Sequence, residues 1–482
     1  MKRVAIIGGG ISGLSTAFHL QQHRRNGAQI EYVLLERSTR LGGTILTQHV
    51  DDCIVEAGPD SFLSEKPWAS DLCRELGIAD ELIASNDAQR KTYILRNDRL
   101  LPIPAGLVFM VPTEILPTLV SPLFSMRTKL RMACELLQSP SEPQEDESVA
   151  ALIDRHYGAE VVERLADPLL CGIYGGEAAS LSSHAVLPRF VEMARSRGSL
   201  GRAMLSAKKN SRNQTSMSRP LFTSLRSGMQ QMVEAIVAQL PVESLRRRSP
   251  VRSLQPGENG WCLSTESATV EHFDFIVLAT PARVAGTLLQ LNGSAPEAQA
   301  ELSRELLAIE YTSSVTVTLS YKKATVNLPP GFGFLVPRTE GKRMLACTFV
   351  HQKFPYRAPP DRALLRCFLG GSRDQNVVAA SDDELANIVR EDLRQILGLN
   401  AEPLFTRVFK WKAAMPQYAV GHLDHMNRIE KLLNRLPGLA LAGNGYRGIG
   451  LPDCIHSGME AANQALSAGS TVTEVPGELR RS

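Results

Sequence analysis

The first 36 residues constrain this chain more than any other stretch. An apolar run, Val4-Ala5-Ile6-Ile7, leads into Gly8-Gly9-Gly10-Ile11-Ser12-Gly13. A helical pattern follows over residues 14–24, and a second apolar strand over residues 31–35 ends in Glu36, 23 residues after Gly13. A G-x-G-x-x-G hexapeptide alone is a weak signal, but between a buried strand and a helix it marks a dinucleotide site. Gly8 permits the tight turn, Gly10 leaves bare backbone for a pyrophosphate, and Gly13 lets helix and sheet pack closely. Gly9, Ile11 and Ser12 complete the turn, whose unpaired N–H groups at the helix start receive the diphosphate. Glu36 accepts from the ribose hydroxyls, and its carboxylate disfavours a 2′-phosphate. The spacing predicts an α/β chain that opens with a Rossmann-like unit.

A second glycine pair, Gly42-Gly43, follows Glu36 within seven residues. Two close backbone approaches so near one another suit a long dinucleotide crossed twice, which favours FAD over a nicotinamide. Arg37 or Arg40 is the candidate to lie against the adenine or a phosphate.

At 482 residues the chain exceeds one ordinary core, so two or three domains are expected. Its 53 basic and 50 acidic residues nearly balance, which argues against a nucleic-acid partner. The eight cysteines show no C-x-x-C or other metal spacing and read as free thiols in a reducing compartment. No leader pattern precedes the first strand, so a cytoplasmic location is expected. Residues 105–125 are apolar apart from Glu114, but Pro112, Pro117 and Pro122 interrupt them. A spanning helix is disfavoured there, because freed carbonyls would lack partners in lipid. A buried or interfacial helix pair, or the hydrophobic mouth of a substrate channel, is expected instead. Arg127, Lys129 and Arg131 follow, facing either water or anionic headgroups.

Further along, residues 105–205 carry a helical pattern and residues 206–219 read as a loop. The asparagine-aspartate pair at 97–98 predicts a hairpin turn. A strand-rich segment follows, with a helix over 382–397 opened by Asp382 as N-cap and a strand over 404–411. The organisation predicted is a discontinuous Rossmann-like FAD-binding domain with a mixed-sheet substrate domain and a mostly helical insertion.

The pattern GGGISG followed by ER-x3-LGG resembles the FAD-dependent amine oxidase superfamily. Further segments resemble its oxygen-dependent protoporphyrinogen/coproporphyrinogen oxidase family, of the HemY type: Glu56-Ala57-Gly58-Pro59-Asp60-Ser61-Phe62, Gly172-Ile173-Tyr174-Gly175-Gly176, the DFIVLATP run at 274–281, and GNGYRGIGLPDC at 443–454. The likeness spans residues 3 to about 468. It implies flavin contacts at Ala57, Gly58, Pro59 and Asp60, at Ala279 and Thr280, and at Gly443, Ile449, Gly450 and Leu451. It also implies that the backbone of Val251 meets the adenine and that Trp411 stands near the flavin. Asp60 departs from the family, which often has Asn or Arg there.

The resemblance further implies an FAD-binding domain over 1–85, 220–299 and 401–475, a substrate domain over 86–104 and 300–400, and a helical insertion over 105–219. The implied reaction is six-electron oxidation of a porphyrinogen in haem biosynthesis by dioxygen, with peroxide released. Protoporphyrinogen IX and coproporphyrinogen III both remain open as substrate. The flavin carries the chemistry, so no catalytic acid, base or metal is expected. A large apolar cleft with a cationic rim is required. Ile173, Phe332 and Phe334 are candidate walls, with Leu107, Phe109, Met110 and Leu169 beside them, and Arg90, Lys91 and Arg338 are candidate carboxylate partners. Peripheral membrane contact and hand-off to a ferrochelatase are raised by the same resemblance, which leaves the oligomeric state open. The rival reading is another flavin oxidase of the superfamily, acting on an amine or a carotenoid.

Overall fold

Strand β1 (Lys2–Ile7) lies at the centre of a five-stranded parallel sheet, since Val4, Ala5, Ile6 and Ile7 are apolar and buried on both faces. The computed structural model describes residues 1–140, 145–211, 220–266, 269–290 and 296–468. β1 is followed by helix α1 (Ile11–Arg25) and strand β2 (Ile30–Leu35). The sheet order is Leu245–Arg246, β2, β1, Phe275–Leu278, Leu439–Leu441, every pair parallel. Three distant parts of the chain therefore build one dinucleotide-binding sheet.

One face of this sheet is covered by α1 and by helices Trp68–Glu75, Gln230–Ala238 and Leu451–Ser467. Helices Ala282–Leu288, Glu297–Leu307 and His422–Leu433, with the three-stranded sheet at 251–273, cover the other. α1 and the C-terminal helix touch backbone to backbone. Ser15 donates to the Ile455 carbonyl at 2.8 Å and Thr16 to that of Gly458 at 3.0 Å, and a Cβ at Gly458 would strike the Ser12 carbonyl.

The second sheet is mixed and has seven strands, in the order Phe405–Pro416, Tyr311–Lys322, Arg362–Gly370, Ala346–Phe349, Gly333–Leu335, Thr92–Arg96, Arg99–Pro102. Only Gly333–Leu335 with Thr92–Arg96 is parallel. Asn97 and Asp98 form the expected turn, both at positive φ (48° and 55°), as a two-residue hairpin requires. Alternation sorts the faces: Val315, Val317, Leu319, Leu365 and Cys367 pack under helix Asp382–Leu397. That helix begins one residue earlier than a cap at Asp382 would give. Ser381 is the N-cap, in a capping box with Glu384, worth about 1 kcal/mol. The strand read at 404–411 extends to Pro416 and pairs with Tyr311–Lys322. Although it lies within 401–475, it belongs to the seven-stranded sheet.

The helical insertion opens with a small hairpin, Leu107–Val108 against Val111–Pro112, and continues through short helices to Leu200–Ser211. The proline-interrupted stretch 105–125 holds that hairpin and one short helix, Ile115–Val120; helix Met126–Glu135 begins only after it, so the expected helix pair does not lie within the stretch. No described helix is long and apolar enough to cross a membrane. The loop expected over 206–219 is helical as far as Ser211, and 212–219 lie outside the described residues. Buried Glu135 ties the insertion together, accepting from Ser199 Oγ at 2.9 Å and Leu200 N–H at 2.6 Å, with His156 Nδ1 at 3.1 Å.

Candidate cofactor and active site

The glycine turn sits where the C-terminal ends of β1, Phe275–Leu278 and Leu439–Leu441 meet. A Cβ at Gly8 would run into the Ala279 carbonyl, and one at Gly13 into the Gly8 carbonyl. Gly10 differs: a Cβ there would meet only Gly43 Cα, at 4.0 Å. The absence of a side chain at Gly10 serves something other than packing. Gly10 is the N-cap of α1, no side chain caps that end, and no acid stands in its first turn. The N–H donors at this end are left for an anion.

Glu36 is held at the rim of this cradle by two backbone N–H groups, from Gly9 at 2.7 Å and Ser38 at 2.8 Å. Its own N–H donates to the Arg246 carbonyl at 2.9 Å, and Ser249 N–H to its carbonyl at 2.9 Å. The strand beginning at Val251 is thereby led alongside Glu36. Gly42 N–H donates to the Gly9 carbonyl at 2.7 Å, so the second glycine pair lies against the first. Arg40 braces that loop by donating to the carbonyls of Ile45 (2.9 Å) and Gly43, while Arg37 is exposed. Thr280 Oγ1 is buried without a protein partner next to Gly8. An uncapped helix end, an open Gly10 and an orphaned hydroxyl together fit a bound dinucleotide diphosphate.

The turn at residues 57–60 carries the dinucleotide sheet toward the seven-stranded one. The Ala57 carbonyl accepts from Trp411 Nε1 and from Thr316 Oγ1, both at 2.9 Å. The Gly58 carbonyl accepts from Arg366, and a Cβ at Gly58 would strike the Thr44 carbonyl. The Asp60 carboxylate is taken up by Lys353 at 3.1 Å and Ser61 Oγ at 2.7 Å, with Arg366 at 3.8 Å. Burial works against that carboxylate, but Lys353 and Arg366 outweigh it and hold the group below the usual carboxylate range. Asp60 is thus spent on bracing, and the backbone of the turn is what remains for a cofactor.

The C-terminal loop closes the site. Tyr418 donates to the Asn444 carbonyl at 2.7 Å and accepts from Gly448 N–H at 2.8 Å. Gly443, at φ +136°, takes Ser457 Oγ as acceptor at 3.1 Å. Ile449 and Gly450 are half-buried, Leu451 is buried, and Gly450 is the uncapped N-cap of helix Leu451–Ser467. Two uncapped helix starts thus belong to the residues expected to hold the cofactor.

The expected substrate residues divide. Arg90 and Lys91 are exposed, and neither has an ion-pair partner among the described residues; the Lys91 carbonyl accepts from Phe332 N–H at 2.7 Å. Arg338 is exposed and pairs with Glu177 at 3.1 Å. Ile173 is 44% exposed on helix Asp167–Tyr174. Phe332 is buried. Phe334 is a correction: it packs against Phe349 and the core under helix Asp382–Leu397, on the sheet face turned away from residues 57–60. Its neighbour Leu335 takes the inner position, beside Gly172. Lys353, Arg366, Thr316 and Leu335 were not among the expected site residues. An arginine inside the apolar run Leu364-Leu365-Arg366-Cys367-Phe368 was the available signal.

Fold and cradle define a dinucleotide-binding flavoprotein oxidoreductase. The model of the family described as flavin containing amine oxidoreductase matches residues 11–466. The coproporphyrinogen III oxidase of Bacillus subtilis (strain 168) is 33% identical over 471 residues, covering 97% of this chain and 98% of its own. That of Staphylococcus aureus (strain NCTC 8325 / PS 47) is 31% identical, covering 97% and 99%. A crystal structure from Exiguobacterium sp. 255-15, provisionally described as a protoporphyrinogen oxidase, superposes with a TM-score of 0.84 at 31% identity, covering 96% and 98%. The chain belongs to the flavin-containing amine oxidoreductase family, in its porphyrinogen oxidase branch, and is an FAD-dependent enzyme.

Proposed function

We propose that this chain oxidises coproporphyrinogen III to coproporphyrin III, with FAD taking the electrons and dioxygen receiving them as peroxide. The observation that carries the reading is end-to-end similarity to enzymes named for that reaction, at 33% and 31% identity. The mitochondrial protoporphyrinogen oxidase of Nicotiana tabacum is more distant, at 28%.

The FAD supplies two-electron acceptance from a meso C–H bond. The chain's own residues bind and orient. Gly8, Gly10, Gly13 and the start of α1 hold the diphosphate, and Glu36 fixes the ribose. Residues 57–59, Thr280, Trp411, Gly443 and residues 449–451 frame the ring and its chain. Aromatisation of the macrocycle drives the reaction, so no strong acid or base is assigned. Ile173 and Leu335 offer an apolar wall, and Arg90 and Lys91 are free to meet propionates. On this reading residues 1–85, 220–299 and the part of 401–475 beyond Pro416 serve the cofactor. Residues 86–104 and 300–400, with Phe405–Pro416, form the substrate platform.

The helical insertion carries exposed Leu116, Val120, Met126 and Leu130 beside exposed Arg127, which supports peripheral contact with an anionic bilayer.

The test compares rates of the flavin-loaded protein on both porphyrinogens. Faster turnover of coproporphyrinogen III is expected. Preference for protoporphyrinogen IX would overturn the substrate, and flavin bleaching by an amine but by neither porphyrinogen would overturn the reaction.

A further inference from the structure

Behind the turn at residues 57–60 lies a buried group of charges that the reaction does not use as acid or base. Glu56 and Arg357 pair at 2.8 Å with side chains 4% and 1% exposed. Glu56 is closed off by two more donors, Thr47 Oγ1 at 2.7 Å and Met229 N–H at 2.8 Å. Arg357 also donates to Ser224 Oγ at 2.6 Å, and Ser224 in turn to the Asp60 carbonyl at 2.6 Å. Asp60 takes Lys353, which is packed between Phe222 and Phe354 with its ammonium 4.4 and 5.1 Å from the ring centres.

Arg366 is the member without a close counter-ion. It stands 3.8 Å from Asp60, which Lys353 already holds, and spends one nitrogen on the Gly58 carbonyl. Its Nε and the Oγ1 of Thr318, directly opposite in the strand register, are buried without protein partners. Both residues line a cavity of about 10 Å³, also lined by Glu56, Asp60 and Arg357. A space of that order admits one water at most, so solvent there cannot screen the guanidinium as bulk water does.

We propose that this cluster, three cations against two carboxylates, holds a surplus positive charge behind the flavin-facing turn and raises the two-electron reduction potential of the bound FAD, with Arg366 as the residue that carries the surplus. The inference rests on the reading above that residues 57–59 face the flavin. Reduction adds negative charge to the cofactor, and a buried cation stabilises the reduced form more than the oxidised form. By holding the Gly58 carbonyl, Arg366 also fixes its own charge relative to the turn. A higher potential makes the cofactor a better acceptor of electrons from a meso C–H bond.

The experiment measures the potential of the flavin-loaded protein by equilibration with a reference dye, without turnover. Arg366→Met and Lys353→Met are each expected to lower the dye equilibrium constant at least about tenfold, about 30 mV for a two-electron couple. Asp60→Asn is expected to move it in the opposite direction. The double variant Asp60→Asn with Lys353→Met, which removes one charge of each sign, is expected to return to within about threefold of wild type. If Arg366→Met cannot be recovered with flavin, Arg366→Lys keeps the charge without the fork and is expected to hold the wild-type potential; the Lys353 and Asp60 variants then decide. Flavin-loaded single variants with unchanged potentials would overturn the proposal, as would a double variant that moves as far as Lys353→Met alone. A wild-type protein that takes up no flavin would instead strike the cofactor reading itself.

Discussion

Gly42 N–H donates to the Gly9 carbonyl at 2.7 Å, laying the second glycine pair of the chain against the first. A Cβ at Gly43 would come within 3.0 Å of Gly10 Cα, whereas one at Gly10 would meet protein only at 4.0 Å. The cradle is thus tight on the outside and open where a ligand enters.

Gly10→Val is therefore expected to leave a folded apo-protein that does not retain FAD. The γ-methyls extend into the space the diphosphate needs, while the Cβ itself meets no protein closely. Flavin absorbance after purification and reconstitution, compared with the thermal midpoint of the apo forms, tests this. A variant that is yellow at full stoichiometry would refute it. Gly13→Val should also lose the fold, because its Cβ strikes the Gly8 backbone carbonyl.

Trp411→Phe keeps an aromatic ring, smaller than the indole, and removes one of two donors to the Ala57 carbonyl. Thr316 Oγ1 remains at 2.9 Å, so a stability loss of about 1 kcal/mol is expected. FAD affinity should fall severalfold, since the Ala57 carbonyl loses one of its two donors. The double variant with Thr316→Val leaves the carbonyl unpartnered and should cost more than the two single changes combined. Strict additivity in denaturant titrations would show that the two donors act independently.

Phe334 and Leu335 separate stability from substrate contact within one strand. Phe334→Ala empties a core position and should cost about 3–5 kcal/mol with little change in KM of the recovered protein. Leu335→Ala should raise KM for the porphyrinogen at a smaller cost in stability. The reverse pattern would place the cleft on the other face of the sheet. These two residues also show what the sequence could and could not convey. The glycine turn, the Glu36 spacing and the hairpin at Asn97-Asp98 are local, and each was readable because one backbone geometry demands those residues. Which face of Gly333–Leu335 points inward depends on helix Asp382–Leu397 covering the other, a contact made across many residues of sequence. For the same reason the Lys353–Asp60 pair and the grip of Arg366 on Gly58 could not be read from residue patterns: each joins segments brought together only by the finished sheet.

Reversing charge at Arg90 and Lys91 should weaken porphyrinogen binding and leave flavin content unchanged. Both side chains are exposed and neither has an ion-pair partner among the described residues, so Arg90→Glu with Lys91→Glu breaks nothing in the fold. KM should rise several-fold at constant flavin stoichiometry, and the effect should shrink with added salt. An unaltered KM would remove this loop from the cleft.

Acid should erode stability through His19 on α1. Burial, with a smaller contribution from His23, pushes the His19 imidazole down from 6.5 to about 4. In the unfolded chain the ring protonates near its ordinary value, so between about 6.5 and 4 the unfolded state binds more protons than the folded one. Stability therefore rises with pH across that window and is lost as pH falls through it; below about 4 both states carry the proton and this contribution stays constant. His19→Gln, which keeps a polar side chain but cannot titrate, should flatten the fall of the thermal midpoint over the window. Its midpoint should approach that of wild type most closely at the acid end. Parallel midpoint curves for the two proteins from pH 7 to 4 would show that acid acts elsewhere.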